Sequence, residues 1–201
     1  MAVTKKPKIT LERRDVMTTI LRERGDALLV TGLGSSTYDA YATGDHHLNF
    51  YLWGAMGGAA MIGLGLALAQ PKRRVLVITG DGEMLMGLGS LATIAVEKPK
   101  NLAIIVLDNQ HYGETGMQQA HTGRGVDLAG IAKAAGFAAT GTLYTAQQLK
   151  TWLPKIHKAA GPLFASIKVT TNPVPMVLPL RDGTAIKHRF REALLGAKAF
   201  E

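Results

Sequence analysis

Two short apolar runs constrain this chain more than anything else in it. Val75–Thr79 and Leu102–Leu107 are rich in Val, Ile and Leu and show no polar alternation. A strand with one wet face alternates; a strand covered on both faces of a parallel sheet does not. Between the runs Met84, Leu88, Leu91 and Ala95 recur at helical spacing. That spacing predicts one helix starting near Glu83, and with it a strand–helix–strand crossover. The fold class that follows is α/β, a three-layer parallel sheet with helices on both faces.

Polar groups stand where each run ends: Gly80-Asp81-Gly82 after the first, Asp108-Asn109 after the second. Ligands of open α/β sheets bind outside the carboxyl ends of the strands. Gly80 and Gly82 allow tight backbone geometry and close approach by a ligand. The free N–H groups of the following helix form an anion site, for which phosphate is the usual occupant. Asp81 and Asn109 offer hard oxygen ligands from strand ends, which suit Mg²⁺ beside phosphate oxygens. The residues alone thus describe a Mg²⁺-diphosphate site.

The rest of the chain extends the α/β pattern. Thr10 is expected to cap a helix through Glu23, and Ala27–Val30 reads as a strand ending in Thr31-Gly32-Leu33-Gly34. Strand-then-GxG opens a Rossmann fingerprint and raises a nicotinamide site on Gly32 and Gly34 as an alternative. Against it, Thr37 replaces the third glycine and no acidic strand end follows. Asp45-His46-His47 invites a metal reading, but no further ligand lies near, and a polar loop is the simpler reading. Leu48–Gln70 has no charged residue and could by length span a membrane. Its glycines at 54, 57, 58, 63 and 65 favour instead a closely packed buried helix from Gly57. Helices over Asp127–Ala135 and Ala146–His157 alternate with strands over Phe137–Leu143 and Leu163–Val169. Asn172–Leu180, with three prolines, reads as a linker. Ala185–Ala197 reads as a final basic helix bearing Lys187, Arg189 and Arg191.

With 201 residues, 47% of them hydrophobic, one domain with a real core is expected over the whole chain, residues 172–201 forming its linker and last helix. The formal charge of +8 comes without any nucleic-acid recognition motif. A solvated basic surface, an acidic substrate or an acidic partner subunit accounts for it. There is no cysteine, and the N-terminus has no apolar h-region. These features fit a cytoplasmic protein, with neither nucleic acid nor membrane as partner.

Gly80-Asp81-Gly82, twenty-six residues, then Asn109 followed by Tyr112-Gly113 resembles the cofactor motif of thiamine diphosphate enzymes. Roughly Thr10 to Thr170 is similar to their diphosphate-binding (PP) domain. The likeness is greatest to the separate β subunit of sulfopyruvate or phosphonopyruvate decarboxylases. Behind this stand Gly44-Asp45, Asn49-Phe50-Tyr51, Gly54-Ala55-Met56-Gly57, Leu85-Met86 and Gly89-Ser90-Leu91-Ala92-Thr93. The resemblance implies that Asp81, Asn109 and the carbonyl of His111 hold Mg²⁺ on the diphosphate. Gly80, Gly82, Glu83, Tyr112 and Gly113 complete the cofactor-binding stretch.

Met56 lies 25 residues before Asp81, where the family places a bulky apolar residue beneath the thiazolium ring. It would force the cofactor into its bent form, while the Gly54 carbonyl accepts from the 4′-amino group. Two positions depart from the pattern: Glu83 stands where a small hydroxyl residue is common, and Gln110 where a second Asn is. Glu83 is therefore left with only its backbone N–H for a phosphate, its carboxylate turned away or offset by Mg²⁺. The polar stretch Glu114–Thr122 is placed to close over a ligand, with Gln118 and His121 as substrate contacts. Arg124, Lys187, Arg189 and Arg191 are candidate partners for an anionic group.

The resemblance implies decarboxylation of an anionic 2-oxoacid by an oligomer containing this chain. A second, pyrimidine-binding (PYR) subunit would bring the glutamate that activates the cofactor, docking on an apolar face around Asn49–Gly58. A carboligase of the acetohydroxyacid synthase type is the alternative within the family.

Overall fold

A computed structural model describes residues 7–200. Residues 1–10 are basic in sequence and are expected to fray; residues 1–6 of them lie outside the described part. The first helix is α1 (Arg13–Arg22), followed by strand β1 (Leu28–Thr31), α2 (Ser35–Ala42), β2 (Asn49–Tyr51) and α3 (Ala59–Ala69). Then come β3 (Val75–Gly80), α4 (Asp81–Met86), α5 (Ser90–Glu97) and β4 (Leu102–Asp108). A two-residue hairpin pairs β5 (His111–Tyr112) with β6 (Gln118–Gln119). The chain finishes with α6 (Leu128–Ala135), β7 (Ala139–Leu143), α7 (Ala146–Lys158), β8 (Leu163–Lys168) and α8 (Gly183–Leu195).

Six strands form one parallel sheet in the order β2-β1-β3-β4-β8-β7. β3 and β4 lie at its centre, and every residue of β4 is buried. On one face Leu29, Leu76, Ile78, Ala103 and Ile105 pack with Met17 and Ile20 of α1 and Leu149 and Ile156 of α7. On the other Leu28, Val30, Val77, Ile104 and Val106 meet Leu64 of α3, Leu91 and Ile94 of α5, Ala132 of α6 and Phe190 of α8. These are the three layers that unbroken apolar strands require.

Several boundaries differ from expectation, each for a local reason. Thr10 does not cap α1. The position before the helix is Glu12, whose carboxylate accepts instead from Thr170 Oγ1 (2.9 Å) and Asn172 Nδ2 (2.7 Å). The link between β3 and β4 is two helices, not one. Gly87 presses against the Gly57 backbone, and a Cβ there would lie 2.2 Å from the Gly57 oxygen. The uncharged run Leu48–Gln70 holds a strand, β2, as well as α3. Gly57, at φ +87°, stands outside the helix that was expected to begin there. Among the described residues no helix is long and apolar enough to cross a membrane.

Residues 172–182 have no regular structure but lie against the domain. Arg14 Nη2 donates to the Pro175 carbonyl (2.6 Å), and Trp53 Nε1 to that of Leu180 (2.8 Å). Asp182 then caps α8 through the N–H groups of Thr184 and Ala185. Asp45 accepts from Tyr51 Oη (2.8 Å) and pairs with Arg189, so it tethers α8. His46 and His47 stack on each other. With Asp45 so engaged, and no group of three or more His, Cys, Asp or Glu able to hold a metal among the described residues, 45–47 is a structural loop.

Candidate functional site

A cleft opens over the carboxyl ends of β1, β3 and β4, where the strand order reverses around β1. It is lined from β1 by Leu33, Ser35 and Ser36; from β3 by Gly80, Asp81, Gly82 and Glu83; and from β4 by Asn109, His111, Tyr112, Gly113 and Glu114. Met56 lines it too, 43% exposed. The structure thus brings together the predicted residues from two strand ends and the Met56 loop. Gly54 is exposed on that loop but does not line the cleft. Gln118 is engaged within its own hairpin, donating to the Thr115 carbonyl (2.8 Å), and His121 stands 3.4 Å from Tyr112 Oη. Neither lines the cleft. Arg124, Lys187, Arg189 and Arg191 do not line it either, and Arg189 is committed to Asp45. Arg13 is the cation that does, paired there with the fully buried Asp39 (3.2 Å).

The register of β3 on β4 pairs Gly80 with Leu107, so Asp81 and Asp108 leave the sheet side by side. Both are buried, 2% and 1% exposed. Asp108 is held by Ser166 Oγ (3.1 Å) and an ion pair with Lys168. Asp81 has no ion-pair partner among the described residues. Burial first, and the Asp108 carboxylate second, push its carboxyl from an ordinary 3.8 up to about 6. Thr122 Oγ1 lies between the two carboxylates, 2.7 Å from Asp81 Oδ2 and 2.9 Å from Asp108 Oδ1. A hydroxyl has one proton, so it cannot donate to both. Asp108 has Lys168 as its counter-ion, whereas Asp81 has none among the described residues, so the missing positive charge belongs at Asp81.

That deficit is the test of whether a cation fits. A buried carboxylate without a counter-ion, an amide oxygen and a backbone carbonyl from 109–111 form a hard-oxygen donor set, which suits Mg²⁺. Asn109 Oδ1 accepts from the His111 N–H (2.9 Å), which orients the amide while leaving a lone pair.

The two glycines serve different purposes. A Cβ at Gly80 would meet nothing within 4 Å, so that position leaves room for a ligand. At Gly82 a Cβ would come within 2.5 Å of the Tyr112 ring, so this glycine admits Tyr112 rather than a ligand. The Glu83 carboxylate points away from the cleft floor, into the end of β1. Its Oε2 accepts from Thr79 Oγ1 (2.7 Å) and the Leu33 N–H (3.1 Å). Its Oε1 faces the N–H groups of Gly57 and Ala59 without reaching hydrogen-bond geometry. Burial raises its carboxyl above the usual range.

Gly32 is explained by the same contact: a Cβ there would sit 1.7 Å from Glu83 Oε2. The glycine of the dinucleotide alternative therefore makes room for a buried carboxylate.

Sequence reasoning passed over Ser35 and Ser36. They open α2, whose preceding residue Gly34 supplies no side-chain cap. Glu114 reaches across to this end, its Oε1 3.3 Å from Ser35 Oγ. The signal available was a strand followed by Gly-Ser-Ser.

The family profile "Thiamine pyrophosphate enzyme, C-terminal TPP binding domain" matches residues 32–167. The sulfopyruvate decarboxylase subunit beta of Methanocaldococcus jannaschii is 43% identical over 126 residues, 62% of this chain and 66% of that protein. The subunit beta of Methanothermobacter thermautotrophicus is 36% identical over 187 residues, 93% of this chain and 97% of that subunit. The phosphonopyruvate decarboxylase of Streptomyces viridochromogenes is 39% identical over 144 residues, and the match covers 72% of this chain and 36% of that enzyme. The matched part thus spans about two thirds of the first of these relatives and about a third of the last.

Proposed function

This chain belongs to the thiamine pyrophosphate enzymes, and from that premise we propose that it is the diphosphate-binding subunit of a 2-oxoacid decarboxylase. The substrate class we infer is a small anionic 2-oxoacid, sulfopyruvate or phosphonopyruvate or a close analogue. A second subunit with a pyrimidine-binding domain completes the enzyme, and a cytoplasmic location is part of the reading. The observation that carries it is the buried Asp81 carboxylate, short of positive charge, at the head of a cleft that also holds Met56.

Asp81, Asn109 and the His111 carbonyl would hold Mg²⁺. Gly80 leaves space above the strand end, and the N-terminus of α2 with Ser35 and Ser36 offers donors to phosphate oxygens. These serines would supply the contact that Glu83, turned into β1, does not make. Met56 would support the ring portion of thiamine diphosphate, with Gly54 offering its carbonyl beside it. Thiamine diphosphate, when bound, would supply an electron sink for decarboxylation. The protein's task is to position it and exclude water. Arg13, at the cleft wall, is the cation placed to face an anionic substrate.

The test is a panel of 2-oxoacids offered to this chain, to a PYR subunit, and to both together with Mg²⁺ and thiamine diphosphate. CO₂ release from sulfopyruvate or phosphonopyruvate, well above that from pyruvate and only with both subunits, is the expected result. Acetolactate formed from pyruvate would favour the carboligase instead. Decarboxylation by this chain alone, free of any partner by mass spectrometry, would overturn the division of labour.

A further inference from the structure

We propose that Thr122 is a positioning residue for the metal-binding carboxylate, and that through it the 109–125 loop is tied at both ends to the metal site. The inference rests on the Mg²⁺ assignment to Asp81 made above. The loop leaves β4 as Asn109, runs through the β5–β6 hairpin, and returns to the sheet. Its base is closed by Ala120 N–H donating to the Gln110 carbonyl (2.8 Å) and Gln110 N–H donating to Asp108 Oδ1 (3.2 Å). Two non-glycine residues inside it, Gln110 and Met117, have positive φ of 65° and 61°. Such backbone persists only where the surroundings over-determine it. The hairpin side chains do not: residues 113–119 are all exposed.

Thr122 is the buried anchor at the return end, 2% exposed. It lies 41 residues from Asp81 and 14 from Asp108, and its hydroxyl meets both carboxylates. Contact with Asp81 through Oδ2 restrains the carboxylate while leaving Oδ1 out of that hydrogen bond. Outer partners of this kind orient metal ligands, and their loss costs about 10–100-fold in metal affinity. The same bond joins Asp81 to the end of the loop opposite Asn109. A cation held by Asp81, Asn109 and the His111 carbonyl would therefore clamp the start of the loop while Thr122 clamps its end. Metal loading and order in the hairpin, including Glu114 over the α2 terminus, become one event.

The test uses the full chain and Thr122→Val, which keeps the shape and removes the hydroxyl, with Thr122→Ser as the conservative rescue and Asp81→Ala as reference. Mg²⁺ is titrated at saturating thiamine diphosphate, and amide exchange is followed over residues 110–121 with and without Mg²⁺. Thr122→Val should lose roughly 10–100-fold in Mg²⁺ affinity. Its 110–121 amides should exchange faster without metal and gain less protection on adding it. Thr122→Ser should keep both properties near wild type. Wild-type affinity and exchange in Thr122→Val, with affinity lost in Asp81→Ala, would overturn the tether and leave the metal assignment standing. Unchanged affinity in Asp81→Ala would remove that assignment, and this inference with it.

Discussion

The two walls of the cleft are built in opposite ways. On one, Asp81 lines the cleft and is backed by Asp108 and Thr122; all three are at most 2% exposed, and the Thr122 hydroxyl contacts both carboxylates. On the other, Met56 lines the cleft from the loop Gly54-Ala55-Met56-Gly57-Gly58, which offers no polar side chain. Ala55 and Gly57 have positive φ, and Met56 is 43% exposed. Met61, Met86 and Val96, on α3, α4 and α5, are also exposed, at 42%, 63% and 76%. Of the stretch Asn49–Gly58 expected to dock a partner, Asn49, Tyr51 and Leu52 are buried, and the exposed residues begin at Gly54. A polar wall must be satisfied within the chain, because unpaired buried groups are costly. An apolar wall can be left for another surface to cover, and the proposed second subunit is what would cover it.

The largest effect should come from breaking the polar wall. Asp81→Ala removes the one carboxylate from the proposed metal shell. Mg²⁺-dependent cofactor binding should fall by more than the roughly hundredfold that losing a supporting residue costs. The fold should survive, because the variant deletes a buried charge that has no cation. Titration calorimetry with Mg²⁺ and thiamine diphosphate checks this, and unchanged affinity would sink the site assignment.

Breaking the apolar wall should look different. Met56→Ala removes a side chain that is already half in solvent, so stability should change by less than about 1 kcal/mol. Cofactor affinity should hold, since the phosphate end is untouched. Turnover of the reconstituted enzyme should drop, because a displacement of about 1 Å can cost about a hundredfold. Normal turnover would reduce Met56 to packing.

The same contrast explains what was legible in the sequence. β3 and β4 stood out because burial on both faces leaves a continuous apolar run. The Asp81–Asn109 pair stood out because their strands are neighbours and the spacing is short. Thr122 and Lys168 were invisible as members of the cluster: they lie 41 and 60 residues from the carboxylates they touch, and only the fold brings them there. β2 was missed because three residues inside an uncharged run carry no period of their own. The split of α4 from α5 was missed because Gly87 reads as a tolerated helix glycine until Gly57 is seen against it. Glu83 was flagged as a departure, but its destination depended on the empty Cβ position at Gly32.

The smallest effect, and the one that separates the walls most cleanly, is the response to pH without metal. The Asp81 carboxyl has an ordinary value of 3.8 and lies at about 6 in the folded chain. Between those values the native state binds a proton that the unfolded chain does not. Stability must therefore fall as pH rises through that window, and level off above it. A gap of about two units corresponds to about 3 kcal/mol, or roughly 6–12 °C in melting temperature for a chain of this size. Asp81→Asn abolishes the titration while keeping the side-chain shape. The apo variant should melt roughly 6–12 °C above the apo wild type at pH 7, and the two should converge near pH 4. Mg²⁺ with thiamine diphosphate should then raise the wild type at pH 7 and leave Asp81→Asn where it was. Met56→Leu serves as the control on the other wall, where residues 54–58 contain nothing that titrates, and its profile should run parallel to wild type throughout. Parallel profiles for wild type and Asp81→Asn between pH 4 and 7 would show that the polar wall holds no uncompensated charge, and the contrast between the walls would fail at its source.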